Sequence, residues 1–373
     1  MIIGIPKENH AGELRIVLAP PGIDSLVRSG HTVYMQSGAG LGSHFNDDDY
    51  IKTGATIVGN IKEVYQRSDL IVKVTSINDE EADLLKQHQI LFSSLHFAVG
   101  KKETIIKLMK KKVTAIGYEL IEEDGYLPIL HSMSEIAGPL SIQIAERYLE
   151  SFNAGGRGIL LGGIPGVTSA VVLILGAGVV GTTAAKAAIG RGAQVIVIDR
   201  NLTRLRKIDS LFKKRVTTVM ANPYTITRRI KIADVLIGAV LIKGEKTPHL
   251  VSEEMVKGMK KGSVIIDVSI DQGGCIETSR PTTLNDPIYK VHDVIHYCVP
   301  NMPALVSRTA SYGLNNASLP YIQNIANNGI VNALMGSAAL SRGVCTYQGF
   351  CSNEAIANIF NLEHRKLRIF STN

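Results

Sequence analysis

The residues Gly176-Ala177-Gly178-Val179-Val180-Gly181 have the types and spacing to hold a pyrophosphate. An apolar run, Val171–Leu175, precedes them, and an Ala-rich helical stretch over 183–190 follows. G-x-G-x-x-G carries weight only in such a strand–turn–helix setting. There the first glycine permits a tight turn, the second lets backbone approach the phosphates, and the third lets helix and strand pack closely. The helix start then presents unpaired N–H groups and the positive end of its dipole. Asp199 ends the next apolar run, eighteen residues after Gly181. A carboxylate there accepts hydrogen bonds from ribose hydroxyls and repels a 2′-phosphate, which favours NAD over NADP. Arg200, next in the chain, works against that preference. Without a nucleotide the same residues would make an ordinary tight turn and a helix cap. His96 follows the apolar run 90–95, at the C-terminal end of a strand, where open α/β sheets place ligands. Imidazole titrates near neutral pH, as acid–base work requires.

The elements that must hold these groups alternate along the chain. Strands are expected at 2–5, 32–36, 56–58, 70–74, 90–95 and 114–118, with helices at 22–29, 47–53, 61–67, 79–87 and 102–111. Such alternation implies βαβ units around a largely parallel sheet. A second series has strands at 171–175, 194–198, 217–220, 235–239 and 263–268, with helices at 183–190 and from Leu202. Two series predict an α/β chain of two Rossmann-like, doubly wound parallel-sheet domains, joined near 127–136. From Ser307 the alternation stops and the chain reads as helical. A two-domain chain must bury its last apolar helix somewhere, so 307–373 is expected to rejoin the first domain. The expected division is 1–130 plus 307–373 as a substrate and catalytic domain, and 131–306 as the NAD-binding domain.

Length and composition bound the rest. A chain of 373 residues exceeds one ordinary domain, and 45% hydrophobic with 20% charged residues suits a soluble protein with a substantial core. The net charge is +7, but the basic clusters 110–112, 213–215 and 257–261 each end an apparent helix, where cations are favoured. That argues against nucleic acid as a partner. The four cysteines show no C-x-x-C spacing, which predicts reduced, buried thiols and no metal site in a cytoplasmic protein. The N-terminus runs straight into a strand and lacks a signal-peptide layout. Residues 158–185 carry no charge and could span a bilayer by length, yet hold seven glycines and Pro165. They read as loop, strand and glycine turn, and no membrane partner is expected.

Several segments then resemble a known family. Residues 1–8 and Glu13-Leu14-Arg15-Ile16-Val17-Leu18-Ala19-Pro20 are similar to the start shared by alanine dehydrogenases and transhydrogenase α-subunits, and Ser37-Gly38-Ala39-Gly40 continues it. Met133-Ser134-Glu135-Ile136-Ala137-Gly138, Gly162-Gly163-Ile164-Pro165-Gly166-Val167, Asp271-Gln272-Gly273-Gly274-Cys275, Ser279-Arg280-Pro281-Thr282-Thr283 and Asn301-Met302-Pro303 match the alanine dehydrogenase branch. The resemblance covers nearly the whole chain. It implies a cytosolic, usually hexameric enzyme with an NAD-binding cleft between two domains, interconverting L-alanine with pyruvate and ammonium. Arg15 would pair with the substrate carboxylate, His96 would be the acid/base group, and Asp271 would lie beside the reacting centre. Ser134, Asn301 and Met302 would sit near the nicotinamide, Val240 and Leu241 would line its cleft, and Arg204 is counted with the cofactor residues.

The residue types suit that chemistry. A guanidinium holds a carboxylate by a forked pair of hydrogen bonds. A carboxylate at Asp271 would stabilise a cationic ammonium or iminium. Bland readings stand beside these: a surface charge for Arg15, a loop cap for Asp271. One departure is prominent. The family pattern Lys-Val-Lys-Glu-Pro, whose second lysine contacts substrate, is here Lys73-Val74-Thr75-Ser76-Ile77. Thr75 has neither the charge nor the reach of lysine, and Lys73 lies two residues away on the same strand face. Ala19, Lys243 and Pro139 also differ from the usual pattern. Three readings therefore compete: an alanine dehydrogenase, slowed or altered in substrate preference; an NAD(H)-binding homologue with a structural or regulatory role; and a soluble transhydrogenase subunit.

Overall fold

The structure, a computed structural model, describes residues 1–96, 100–240 and 247–367. The chain forms two compact units, Met1–Met133 with Ala304–Asn373, and Ser134–Pro303. The first break falls inside one continuous helix, Pro128–Leu149. Proline at the first helical turn costs no hydrogen bond, because that N–H has no intrahelical partner anyway.

The strands of the first unit begin with β1 (Ile2–Ile5), β2 (Thr32–Gln36), β3 (Thr56–Val58), β4 (Leu70–Val72), β5 (Ile90–Ser93) and β6 (Thr114–Gly117). Those of the second are β7 (Val171–Leu175), β8 (Gln194–Asp199), β9 (Val216–Met220), β10 (Val235–Gly238), β11 (Val264–Asp267), β12 (Ile288–Val291) and β13 (Val294–Tyr297). The chain then returns to the first unit with β14 (Val344–Tyr347) and β15 (Phe350–Cys351). The sheet orders are β15-β14-β6-β5-β4-β1-β2-β3 and β12-β13-β11-β10-β7-β8-β9. Strands β1 to β6 pair in parallel, as do β7 to β11 and β13. Strands β4, β5 and β6 are buried along their length, as parallel strands covered on both faces must be.

In each sheet the chain winds outward in one direction, then returns and winds outward in the other. The reversal lies between β1 and β4 in the first sheet and between β7 and β10 in the second. Outside the carboxyl ends of such a strand pair a crevice opens, because the connecting helices leave to opposite faces. Each unit therefore has one position that the topology favours for a ligand.

Two hairpins correct the sequence reading. Beyond the helix Ser307–Gly336 the chain does not stay helical: β14 pairs antiparallel with β6, and β15 with β14. Gln348 and Gly349 join them, both with positive φ, as a tight hairpin turn demands. At the far edge of the second sheet β12 and β13 pair antiparallel, turning through His292 and Asp293, again both at positive φ. Neither turn has the Asn-Gly signature that marks hairpins in sequence. Within 158–185 the chain makes a loop, β7, the glycine turn and the start of the helix Val179–Gly190. Among the described residues no helix is long and apolar enough to cross a membrane.

Candidate functional site

In the second unit the glycine turn stands at the β7–β10 reversal. Gly176 has φ +107°, a conformation L side chains rarely adopt, and a Cβ there would lie 2.3 Å from the carbonyl oxygen of Ala239. A Cβ on Gly181 would lie 1.8 Å from the carbonyl oxygen of Gly176, so helix and turn are in backbone contact. Gly178 differs: a Cβ there would meet nothing within 4 Å. Gly178 is also the N-cap of the helix Val179–Gly190, which has no side-chain cap. An uncapped helix start facing open space is what a bound anion requires. Val179 and Val180 form its first turn, half-buried.

Asp199, buried at the end of β8, accepts hydrogen bonds from the N–H of Ala177 and the N–H of Asn201, each at 2.7 Å. Its carboxylate thus clamps the glycine turn and retains lone pairs for further donors. The exposed guanidinium of Arg204 stands 4.0 Å away. Across the reversal, β10 leads to Val240, whose N–H donates to the Ser269 hydroxyl at 3.0 Å. Leu241 and Lys243 lie outside the described residues.

Asp271 sits in a tight 3₁₀ turn, Val268–Gln272, directly after β11, and its carboxylate accepts the N–H of Asn301 at 3.0 Å. Asn301 has φ 57°, and Met302 beside it is buried. Asp267 organises this turn, accepting the N–H of Ser269 at 3.1 Å and of Cys275 at 3.0 Å. Burial pushes the Asp267 carboxyl up, against the hydrogen bonds of Ser279, Cys275 and Ser269. Ser134 lies on the helix Pro128–Leu149, and its carbonyl receives the Thr183 hydroxyl at 3.5 Å. A Cβ on Gly138 would lie 2.1 Å from that same hydroxyl, so the small residue lets the two helices touch.

In the first unit a polar cluster fills the β1–β4 reversal. Glu8, just beyond β1, accepts the N–H of Val74 on Oε1 at 2.5 Å. Its Oε2 accepts the N–H of Thr75 at 3.3 Å and is also bonded to the Thr75 hydroxyl. Lys73 has no exposed side-chain surface; its Nζ lies 2.7 Å from Glu81 and 3.8 Å from Glu8. Its ammonium is held inside by Glu81, a partner from the helix Asp79–Leu84. Tyr118 donates to the carbonyl of Val74 at 2.6 Å and holds this strand end from the other side.

Arg15 is buried and forked against Glu13, with Nε and Nη2 each 2.7 Å from a carboxylate oxygen. Its Nη1 donates to the sulfur of Met133 at 3.4 Å. Burial works against the guanidinium's charge, but the hydrogen bond and charge of Glu13 outweigh it, and the group remains cationic. His96 is exposed beyond the end of β5 with φ 41°. That backbone is held by Glu119, whose carboxylate accepts the N–H of Leu95 at 3.0 Å and of His96 at 2.9 Å.

The first unit thus brings Arg15, Lys73 and Thr75 into one cluster with Glu8 and Glu13, while the second gathers the glycine turn with Asp199 and Arg204, and Asp271 with Asn301. Sequence reading missed the acids that organise these groups: Glu8, Glu13, Glu81, Glu119 and Asp267. Glu8 and Glu13 lie inside the recognised opening segment, next to Lys7 and two residues before Arg15. Nothing local marks them as buried.

Comparison with known proteins covers nearly the whole chain. The family description "Alanine dehydrogenase/PNT, N-terminal domain" matches residues 4–137, and "Alanine dehydrogenase/PNT, C-terminal domain" matches residues 141–354. An alanine dehydrogenase of Methanococcus maripaludis is 47% identical over 366 residues, 98% of each chain. A solved L-alanine dehydrogenase superposes with a TM-score of 0.93 at 44% identity, covering 97% of this chain and 99% of its own. A transhydrogenase from Sinorhizobium meliloti shares the fold, with a TM-score of 0.81 at 22% identity over 95% of this chain and all of its own.

Proposed function

Since the chain belongs to the alanine dehydrogenase/PNT family, we propose that it is an NAD-dependent alanine dehydrogenase interconverting L-alanine with pyruvate and ammonium. The observation that carries this reading is the near-complete overlap with alanine dehydrogenases, which spans both units and not the dinucleotide turn alone.

The residues present suit NAD. The open space before Gly178 and the uncapped helix start would take the pyrophosphate, and Asp199 the ribose hydroxyls, with Arg204 beside it. Ser134, Val240, Leu241, Asn301 and Met302 are proposed for the nicotinamide end, with Ala177, Val179 and Val180 along the turn. When bound, NAD supplies the acceptor for the hydride that leaves Cα of alanine.

The protein's own groups bind, orient and move protons. Glu13 occupies the Nε–Nη2 edge of Arg15, so a substrate carboxylate would meet the Nη1–Nη2 edge, held in a fixed direction by Glu13. His96 would take the proton from the amine and from the attacking water, exposed and with its backbone pinned by Glu119. Asp271 would stabilise the cationic ammonium or iminium, and Thr75 would face the substrate where the family has lysine. The resemblance also supports a homo-hexamer in the cytoplasm.

Thr75 favours a second reading, a homologue that binds NAD(H) but turns over poorly. Lys73 is no substitute, being committed to Glu81. NADH oxidation with pyruvate and ammonium, comparing the native chain with Thr75→Lys, separates the two readings. An alanine dehydrogenase turns over as the native chain, and Thr75→Lys gains about 100- to 1000-fold. Activity only in Thr75→Lys means that catalysis was lost at this position. No activity in either sinks the alanine dehydrogenase reading.

A further inference from the structure

Thr75 and Glu8 meet at the topological reversal of the first sheet, one beyond β4 and the other beyond β1. We propose that Glu8 is a positioning residue that, as a neutral carboxylic acid, donates to the Thr75 hydroxyl so that this hydroxyl donates in turn to the substrate oxygen a lysine would contact. The inference rests on the assignment of Thr75 to the substrate side of an alanine dehydrogenase.

A threonine hydroxyl has a single O–H. If Glu8 is a carboxylate, that O–H is consumed by Oε2, and only lone pairs face an incoming substrate oxygen. If Glu8 carries the proton, the bond reverses and the threonine O–H is released outward. The difference is one proton, taken up from solvent onto Oε2 of Glu8; the Glu8–Thr75 hydrogen bond then reverses direction, and the threonine O–H is free to make a new one to the substrate oxygen. The two oxygens of Glu8 are unequal in a way that suits this. Oε1 takes the Val74 N–H at 2.5 Å and suits the carbonyl role, while the backbone bond to Oε2 is long, at 3.3 Å.

The surroundings favour the neutral acid. Among the described residues no cation lies within hydrogen-bond distance of Glu8. Lys73, the nearest, sits 3.8 Å away and 2.7 Å from its competitor Glu81. Arg15 is committed to Glu13 by two bonds. Glu13 adds a like charge, and Tyr65 and Tyr118 face Glu8 as neutral phenols held up by burial. Burial pushes the Glu8 carboxyl up; Lys73, the Thr75 hydroxyl and the Val74 N–H oppose it without cancelling it.

The test is the pH dependence of kcat/KM for pyruvate, together with the infrared band of a protonated carboxyl at neutral pH. In the native protein the rate should fall as pH rises through the Glu8 ionisation, and the band should be present. Glu8→Gln, whose amide is a permanent donor, should abolish both that alkaline fall and the band. Glu8→Asp should keep the ionisation at a lower rate. Thr75→Val should lose about 10-fold or more in kcat/KM, and Thr75→Ser should restore most of it. Absence of the band, an unchanged profile in Glu8→Gln, or full activity in Thr75→Val overturns the proposal. A native protein with the band but no pyruvate turnover at any pH instead refutes the alanine dehydrogenase reading, and with it the donor role of Glu8.

Discussion

The two glycines Gly178 and Gly181, three residues apart, should respond to the same substitution in opposite ways. At Gly178 the backbone is extended, with φ −77° and ψ −162°, and an added Cβ meets no protein atom within 4 Å. Gly178→Ala should therefore fold normally and lose only the few tenths to about 1 kcal/mol that alanine costs at an N-cap. The methyl group would, however, occupy the space through which backbone N–H groups reach the pyrophosphate. Holding the anion off by the width of a methyl breaks one or two charge-assisted hydrogen bonds, about 1.5–3 kcal/mol in all, or roughly 10- to 100-fold in NADH affinity. At Gly181 the added Cβ would stand 1.8 Å from the Gly176 carbonyl oxygen. Helix and turn must part by more than ~1 Å to reach ordinary contact, an overpacking cost of about 1–3 kcal/mol or more. For a unit of this size that is roughly 2–12 °C in Tm. Thermal melting without cofactor and NADH fluorescence titration separate the two effects; with no tryptophan in the chain, no energy transfer from indole complicates the titration. Native NADH affinity in Gly178→Ala would refute the placement of the pyrophosphate. Equal losses of Tm in both variants would refute the contrast between open space and backbone contact.

Two further outcomes test the buried charges. Lys73→Met strands the Glu81 carboxylate without its ammonium partner and should cost about 3–5 kcal/mol at neutral pH. Urea unfolding measures it, and a midpoint close to native would mean that the pair is not buried as described. His296 is enclosed, with Nε2 2.8 Å from the Thr278 hydroxyl and its ring stacked on Tyr289, and burial lowers its pKa from 6.5 to about 4. A depressed pKa means stability that is complete above pH 6.5 and lost as pH falls towards 4, amounting to about 3 kcal/mol. His296→Gln should flatten that part of the stability–pH curve, and an unchanged slope would show that the histidine does not contribute to it.

The elements and the site were legible to different degrees. The glycine turn could be read because everything it needs is local: an apolar strand, three glycines at fixed spacing, and a helix start, all within residues 171–190. Most strands were legible for the same reason, since short continuous apolar runs bounded by polar segments mark strands covered on both faces. The two hairpins escaped because their turns are His292-Asp293 and Gln348-Gly349, and because β14 becomes a strand by pairing with β6, more than two hundred residues earlier.

The roles of the charged residues divide along the same line. The sequence by itself determined that a dinucleotide turn exists and that an acid follows it at Asp199, and its resemblance to the family raised the expectation that Thr75 takes the place of a lysine. Only the tertiary structure decided that Lys73 belongs to Glu81, that Arg15 is held by Glu13, and that Glu8 meets Thr75 across the sheet. The physical reason is the strand order: β1 and β4 are neighbours because the chain reverses its winding between them, which brings Glu8 within hydrogen-bond distance of a residue 67 positions away. Hydrogen bonds and desolvation act over a few ångströms, and distance along a chain does not measure that separation.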